Sequence, residues 1–217
     1  MSGEAALRRE VIEIALALGP ADLGVNRSGN VSARWADGFL VTPTGVPYEA
    51  LEPEDIVFAP LDGGPPQGRL LPSSETPFHL EIYRARPELS AIVHCHSPNA
   101  VALACTRRGI PPFHYMVAAA GGASILCAPY AVFGSEELSR HAVEALADGR
   151  RACLLANHGQ IACGASLPKA LELAREVEML ARQYLLALQA GEPVLLDAAE
   201  MAQVLDKFTT YGKQPRD

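Results

Sequence analysis

His94 and His96 stand two residues apart in Ser90-Ala91-Ile92-Val93-His94-Cys95-His96, an apolar, β-branched run that reads as a buried strand ending at Ser97-Pro98. Side chains two apart on a strand share a face, so the two imidazoles converge on one point. A third imidazole, His158, lies in Leu154-Leu155-Ala156-Asn157-His158-Gly159, where another apolar run stops at a polar tip and a glycine. Glu75 follows Ser73-Ser74 at the expected start of a helix. Two histidines alone are as well explained by a polar sheet margin. With His158 and Glu75 in similar strand-end and helix-start settings, the set suits a metal. Neutral imidazoles plus one displaceable group describe catalytic zinc rather than a closed structural site, which keeps four permanent ligands and often uses thiolates. Such an ion acts as a Lewis acid on a carbonyl, which serves enolate or enediolate chemistry as well as hydrolysis. A carboxylate beside it can move a proton at the adjacent carbon, and Glu75 is the candidate. The only lysines, Lys169, Lys207 and Lys213, sit near a helix start or in the C-terminal region, which argues against Schiff-base catalysis.

Three short segments suit an anion: Gly29-Asn30, Thr44-Gly45 and Ser73-Ser74. Glycine lets the backbone approach closely, hydroxyls donate, and the N-terminus of the Glu75 helix offers N–H groups to a phosphate. None matches a nucleotide-binding loop, and each alone reads better as a turn or a helix cap; their joint occurrence carries the phosphate reading. The other histidines take structural readings. His79 lies one helical turn after Glu75 between Phe78 and Leu80 and is expected to be packed; His141 falls on a charged helix and is expected in solvent. Tyr115, in Pro111-Pro112-Phe113-His114-Tyr115-Met116, reads as a core tyrosine or one with a buried hydroxyl.

The elements that must position these groups are legible in the periodicity. Leu7, Val11, Ile14 and Leu18 mark an opening helix stopped at Gly19-Pro20, and Val31, Ala33 and Trp35 followed by Asp37-Gly38 and Phe39-Leu40-Val41 form a hairpin. A strand at 56–58 precedes a turn-rich stretch, and a helix runs from Glu75 to Arg86. After the histidine strand, Ser97-Pro98 caps a helix expected to reach Gly109. A strand from Ser124 to Cys127, a helix from Ser135 to about Ala147, strands at 151–156 and 160–163 and a long helix from Ala170 to Leu188 follow, and Asp197 with Glu200 forms a capping box for a last helix. Tight turns between adjacent strands point to one α/β domain spanning residues 1–217, its mostly antiparallel mixed sheet covered by helices.

Composition removes other classes. A hydrophobic fraction of 49% with 20% charged residues is that of a folded globular chain, and a net charge of −7 disfavours a general nucleic-acid or anionic-membrane surface. No apolar stretch reaches bilayer length, and Glu4, Glu10 and Glu13 spoil a signal peptide, so a cytoplasmic protein is expected. Five cysteines without CxxC spacing, each in an apolar context, read as buried free thiols.

Ser28-Gly29-Asn30-Val31-Ser32, Thr42-Pro43-Thr44-Gly45, Ser73-Ser74-Glu75, Val93-His94-Cys95-His96, His114-Tyr115-Met116 through Gly122, Cys127-Ala128-Pro129-Tyr130, Asn157-His158-Gly159 and Lys207-Phe208-Thr209-Thr210-Tyr211-Gly212 occur in this order over almost the whole chain. In these segments the sequence resembles the class II aldolase/adducin-type family, particularly its sugar-phosphate aldolases. The resemblance implies a three-layer fold and a homotetramer with active sites at subunit boundaries. It implies one Zn2+ per subunit on His94, His96 and His158, with Glu75 as fourth ligand and as acid/base, and phosphate held by Asn30, Thr44, Gly45, Ser73 and Ser74. Tyr115 and Tyr211 would come from a neighbouring subunit, Tyr115 protonating the aldehyde oxygen and Tyr211 shaping its pocket. The implied activity is reversible cleavage of a ketose 1-phosphate, such as fuculose 1-phosphate or a deoxy or methylthio relative, to dihydroxyacetone phosphate and an aldehyde through a zinc-stabilised enediolate. Epimerase, dehydratase or decarboxylase activity on the same fold, and a non-catalytic adducin-like module, are the alternatives. Gln214-Pro215-Arg216-Asp217 matches nothing assignable.

Overall fold

The hairpin and the histidine strand fall side by side in one seven-stranded sheet of order β3-β2-β1-β4-β7-β6-β5 in a computed structural model that describes residues 3–21, 23–24 and 28–210. Strands β1 (Gly29–Trp35), β2 (Gly38–Val41), β3 (Val57–Pro60), β4 (Ala91–Cys95), β5 (Leu126–Ala128), β6 (Ala152–Leu155) and β7 (Gly159–Gly164) pair antiparallel except for the parallel β5–β6 edge. The mostly antiparallel mixed sheet expected from the tight turns is therefore present.

Alternation along the strands splits the core. Ala91, Val93 and Cys95 of β4 and Leu154 of β6 face a layer made by helices α1 (Gly3–Leu16), α3 (Pro98–Cys105) and α5 (Leu167–Ala190). Ile92 of β4, with Phe39, Val41, Val57 and Ile161, faces helices α2 (Thr76–Ala85) and α4 (Glu136–Ala145). His94 falls by the same alternation on the α2 side, where Phe78 meets it edge-on at 5.4 Å between ring centres. Helix α6 (Ala198–Phe208) opens with the Asp197–Glu200 capping box and packs on a 3-10 segment, Tyr115–Ala120.

Several local expectations change. Helix α3 stops at Cys105 rather than at Gly109, because Arg107 takes a left-handed φ of 55° and Gly109 is pressed against Ile125, where a Cβ would lie 2.4 Å from the carbonyl oxygen. Ser97 stands at the N-cap of α3 without its side chain capping; the carboxylate of Glu178 on α5 does so instead, accepting from the N–H groups of Asn99 (3.0 Å) and Ala100 (2.9 Å). His141 is buried, its Nδ1 3.2 Å from the Pro129 carbonyl, because α4 turns that face to the sheet. Cys105 is exposed at the end of α3, while Cys95, Cys153 and Cys163 are buried thiols as expected. No helix among the described residues is long and apolar enough to cross a membrane.

Candidate metal centre and adjoining cavity

Antiparallel pairing of β1 with β4 sets Asn30 directly opposite His94. Hairpin β6–β7 closes through Ala156-Asn157-His158, and Asn157 adopts the left-handed φ of 55° that a short polar side chain tolerates. That turn carries His158 back over the end of β4. Glu75 is the N-cap residue of α2, yet its carboxylate caps nothing; it turns into the histidines.

The result is a four-residue cluster. His94 Nε2 lies 3.0 Å from His96 Nε2 and 3.1 Å from Glu75 Oε2, His158 Nε2 lies 3.2 Å from Glu75 Oε1, and the four ligand atoms all fall within 4.8 Å of one another. Nitrogen or oxygen donors about 2.1 Å from one tetrahedral ion would be separated by roughly 3.4 Å, slightly more than the three shortest separations here. Protonation points the same way. His94 Nδ1 donates to the Gln160 carbonyl at 2.9 Å, so in the neutral ring Nε2 carries a lone pair aimed at the cluster. Glu75 is buried and its Oε1 accepts no hydrogen bond. Lone pairs and a carboxylate gathered this closely in a buried site suit a cation between them, and the donor set fits a metal ion.

Electrostatics within the cluster are opposed. Burial alone would raise the Glu75 carboxyl, but when protonated the imidazoles of His94 and His158 outweigh it and hold the group below the ordinary carboxylate range. Burial, reinforced by His94 and His158, lowers His96 to about 4. Gly159 gives the rings their room: a Cβ there would lie 2.6 Å from the Cys95 carbonyl oxygen and 2.8 Å from His96 Cδ2.

A cavity of about 390 Å³ opens from the cluster, lined by Asn30, Thr44, Gly45, Ser73, Ser74 and Glu75, with His96 and His158. All three anion-type segments of the sequence thus reach one space. Their expected helix terminus contributes less: Thr76 N–H bonds the Ser73 carbonyl, Phe78 N–H bonds that of Glu75, and Pro77 has none. Ser74 is exposed and makes no hydrogen bond among the described residues, which leaves its hydroxyl and N–H open to the cavity. Asn30 is committed inside the protein. Its Nδ2 donates to Glu75 Oε2 at 2.9 Å, and its Oδ1 accepts from His79 Nε2 at 2.5 Å.

Tyr115 is 48% exposed rather than core, stands on the 3-10 segment beside α5 and α6, and is not among the cavity residues. Tyr211 lies outside the described residues. Sequence reasoning missed Tyr130 and Phe133, both more than half exposed on the cavity rim. Their signal was Gly134, whose φ of +73° and close approach to the Ser74 carbonyl fold that loop against the cavity. It also missed the links made by His79, Gln160 and Glu178, which appear only when distant segments meet.

Residues 9–185 match the family model described as "Class II Aldolase and Adducin N-terminal domain". The chain is 50% identical over 207 residues to L-fuculose phosphate aldolase of Escherichia coli O6:H1, covering 95% of each protein. It is equally 50% identical over 207 residues to the 5-methylthioribulose-1-phosphate/5-deoxyribulose-1-phosphate aldolase of Rhodospirillum rubrum, covering 95% of this chain and 93% of that one. Among solved structures, an L-fuculose 1-phosphate aldolase superposes with a TM-score of 0.90 at 37% identity, over 96% of this chain and 98% of that one.

Proposed function

This chain belongs to the class II aldolase and adducin N-terminal domain family, and from that premise we propose that it cleaves L-fuculose 1-phosphate, or a related deoxy or methylthio ketose 1-phosphate, to dihydroxyacetone phosphate and an aldehyde, reversibly. The chain is an aldolase of ketose 1-phosphates, a lyase. The observation that carries the finer reading is the convergence of three imidazole nitrogens and one carboxylate beside a cavity lined by Thr44, Gly45, Ser73 and Ser74.

His94, His96, His158 and Glu75 would hold the ion, one Zn2+ per subunit, since imidazole and carboxylate donors with a displaceable member suit zinc. When bound, that ion polarises the substrate carbonyl and offsets the negative charge that develops as the carbon–carbon bond opens. Ser73 and Ser74, with Thr44 and the backbone of Gly45, anchor the phosphate, and Asn30 lines the same cavity beside Glu75. Glu75 would deliver and remove the proton at the hydroxymethyl carbon. Tyr130 and Phe133 give the rim an apolar wall against which the terminal methyl or thioether of the aldehyde half rests.

Tyr115 of one subunit would protonate the aldehyde oxygen in the site of the next, and Tyr211 would help shape the aldehyde pocket, in a cytoplasmic homotetramer whose subunit is one domain, residues 1–217. The exposure of Tyr115 and its place apart from the cavity support that arrangement. The 50% identity shared with both substrate types keeps the deoxy- and methylthioribulose phosphates alongside fuculose phosphate. A retro-aldol assay over this panel, with and without chelator, tests the reading. Dihydroxyacetone phosphate formed only with metal is expected; isomerised ketose with no dihydroxyacetone phosphate would overturn it.

A further inference from the structure

Four buried side chains form a single hydrogen-bonded line behind Glu75. Tyr83 hydroxyl lies 2.9 Å from Ser32 Oγ, Ser32 Oγ lies 2.7 Å from His79 Nδ1, His79 Nε2 lies 2.5 Å from Asn30 Oδ1, and Asn30 Nδ2 lies 2.9 Å from Glu75 Oε2. Tyr83, Ser32 and His79 are all but inaccessible, and Asn30 is 3% exposed, so water supplies none of these partners. The chemistry of each link fixes its direction. A carboxylate oxygen only accepts, so Asn30 turns its N–H2 toward Glu75 and its oxygen toward His79. That oxygen requires a proton on His79 Nε2. His79 is buried between Phe78, stacked at 4.6 Å, and Phe39 at 6.4 Å, and burial lowers its pKa to about 3, so its ring is neutral and Nδ1 is an acceptor. Ser32 must then donate to Nδ1 and accept from Tyr83.

We infer that His79 is a positioning residue for the proton-transfer step: as the Nε2–H tautomer it locks the Asn30 amide, and the locked amide holds Glu75 Oε2 so that Oε1 is the carboxylate atom left to exchange protons with substrate. Oε1 is the oxygen that accepts no hydrogen bond, whereas Oε2 is held by Asn30. Without the His79 donor, the amide would be free to rotate and present its oxygen to the carboxylate, which would push Glu75 away. This inference rests on the aldolase reading for its kinetic consequence, but its geometric content does not.

Ring-nitrogen NMR of histidine-labelled protein, with His79 assigned by comparison with His79→Gln, tests the geometry without substrate. A neutral ring protonated at Nε2 is expected at neutral pH; a ring protonated at Nδ1, or an imidazolium, would overturn the inference even if wild-type protein cleaves ketose 1-phosphates. For the kinetic part, His79→Leu removes the donor and His79→Gln keeps an N–H near the same place. We expect His79→Leu to lower both kcat and solvent proton exchange at dihydroxyacetone phosphate by about 10- to 100-fold with KM and metal content little changed, and His79→Gln to recover most of the loss. Equal impairment of the two variants, or none in either, would overturn it. Should His79→Leu not fold, Ser32→Ala decides, because loss of the donor to Nδ1 lets both tautomers populate; slowed exchange with mixed tautomers supports the relay, and unchanged exchange refutes it.

Discussion

The two oxygens of the Glu75 carboxylate occupy different environments, and in the proposed mechanism that asymmetry would let one residue both ligate an ion and carry a proton. Oε2 is fixed by Asn30, while Oε1 is buried near His158 without a donor. Glu75→Gln keeps shape and polarity but cannot carry a proton in this way. Proton exchange at the hydroxymethyl carbon of dihydroxyacetone phosphate, followed by deuterium incorporation, should fall by at least about 100-fold while metal content by elemental analysis persists. Unchanged exchange would remove Glu75 from its role. Gly159 supplies a second test at this scale. A methyl group there would meet the Cys95 carbonyl at 2.6 Å and the His96 ring at 2.8 Å, so Gly159→Ala should displace His96 and weaken metal affinity by roughly 10-fold or more, measured by competition with a chromophoric chelator.

Elements hold these residues through contacts between segments far apart in sequence. Helix α3 begins two residues after His96, and its free N–H groups end on Glu178 of α5. Gln160 of β7 adds a second tie, donating through its side chain to Ser97 and to the Ala174 carbonyl of α5 while its backbone carbonyl orients His94. Helix α5 thus braces the metal centre from the opposite face of the sheet. Glu178→Ala should cost about 1–2 kcal/mol of stability by denaturant unfolding, the size of a lost cap, and should also loosen metal binding because the segment carrying His96 loses its anchor. Loss of stability with untouched metal affinity would mean that α5 supports the fold but not the site.

At the scale of the molecule, an ion held by the four-residue cluster would join α2, β4 and the β6–β7 turn. Chelation should lower the unfolding temperature, and re-addition should restore it in proportion to the logarithm of free metal. Acid should unfold the protein partly through His79. Its folded pKa of about 3 lies below the ordinary 6.5, so the unfolded chain binds the proton first. The stability His79 contributes is complete above about pH 6.5 and is lost as pH falls toward 3, with a slope of about 1.4 kcal/mol per pH unit. His79→Gln should flatten the acid limb of a denaturant-midpoint profile over that range. The proposed tetramer is tested by sedimentation, where a particle of about four times the 23.1 kDa chain mass is expected and a monomer would leave Tyr115 without a site to serve.

Local chemistry made much of this legible beforehand. Alternation fixed the shared face of His94 and His96, turn residues gave the antiparallel hairpins, and the order of the motifs from Ser28 to Gly212 indicated the family. Those features depend on neighbours within a few residues, which sequence displays directly. Asn30 facing His94, Glu178 capping α3, His79 gripping Asn30, and the burial of His141 depend on which strands pair and which helix faces meet across dozens of residues. Only the folded sheet decides such meetings, because a hydrogen bond between distant segments leaves no periodicity in either of them. Even the solvated reading of His141 failed for this reason: a charged helix shows its polar residues in sequence, but the packing of α4 on the sheet chooses which of them leave water.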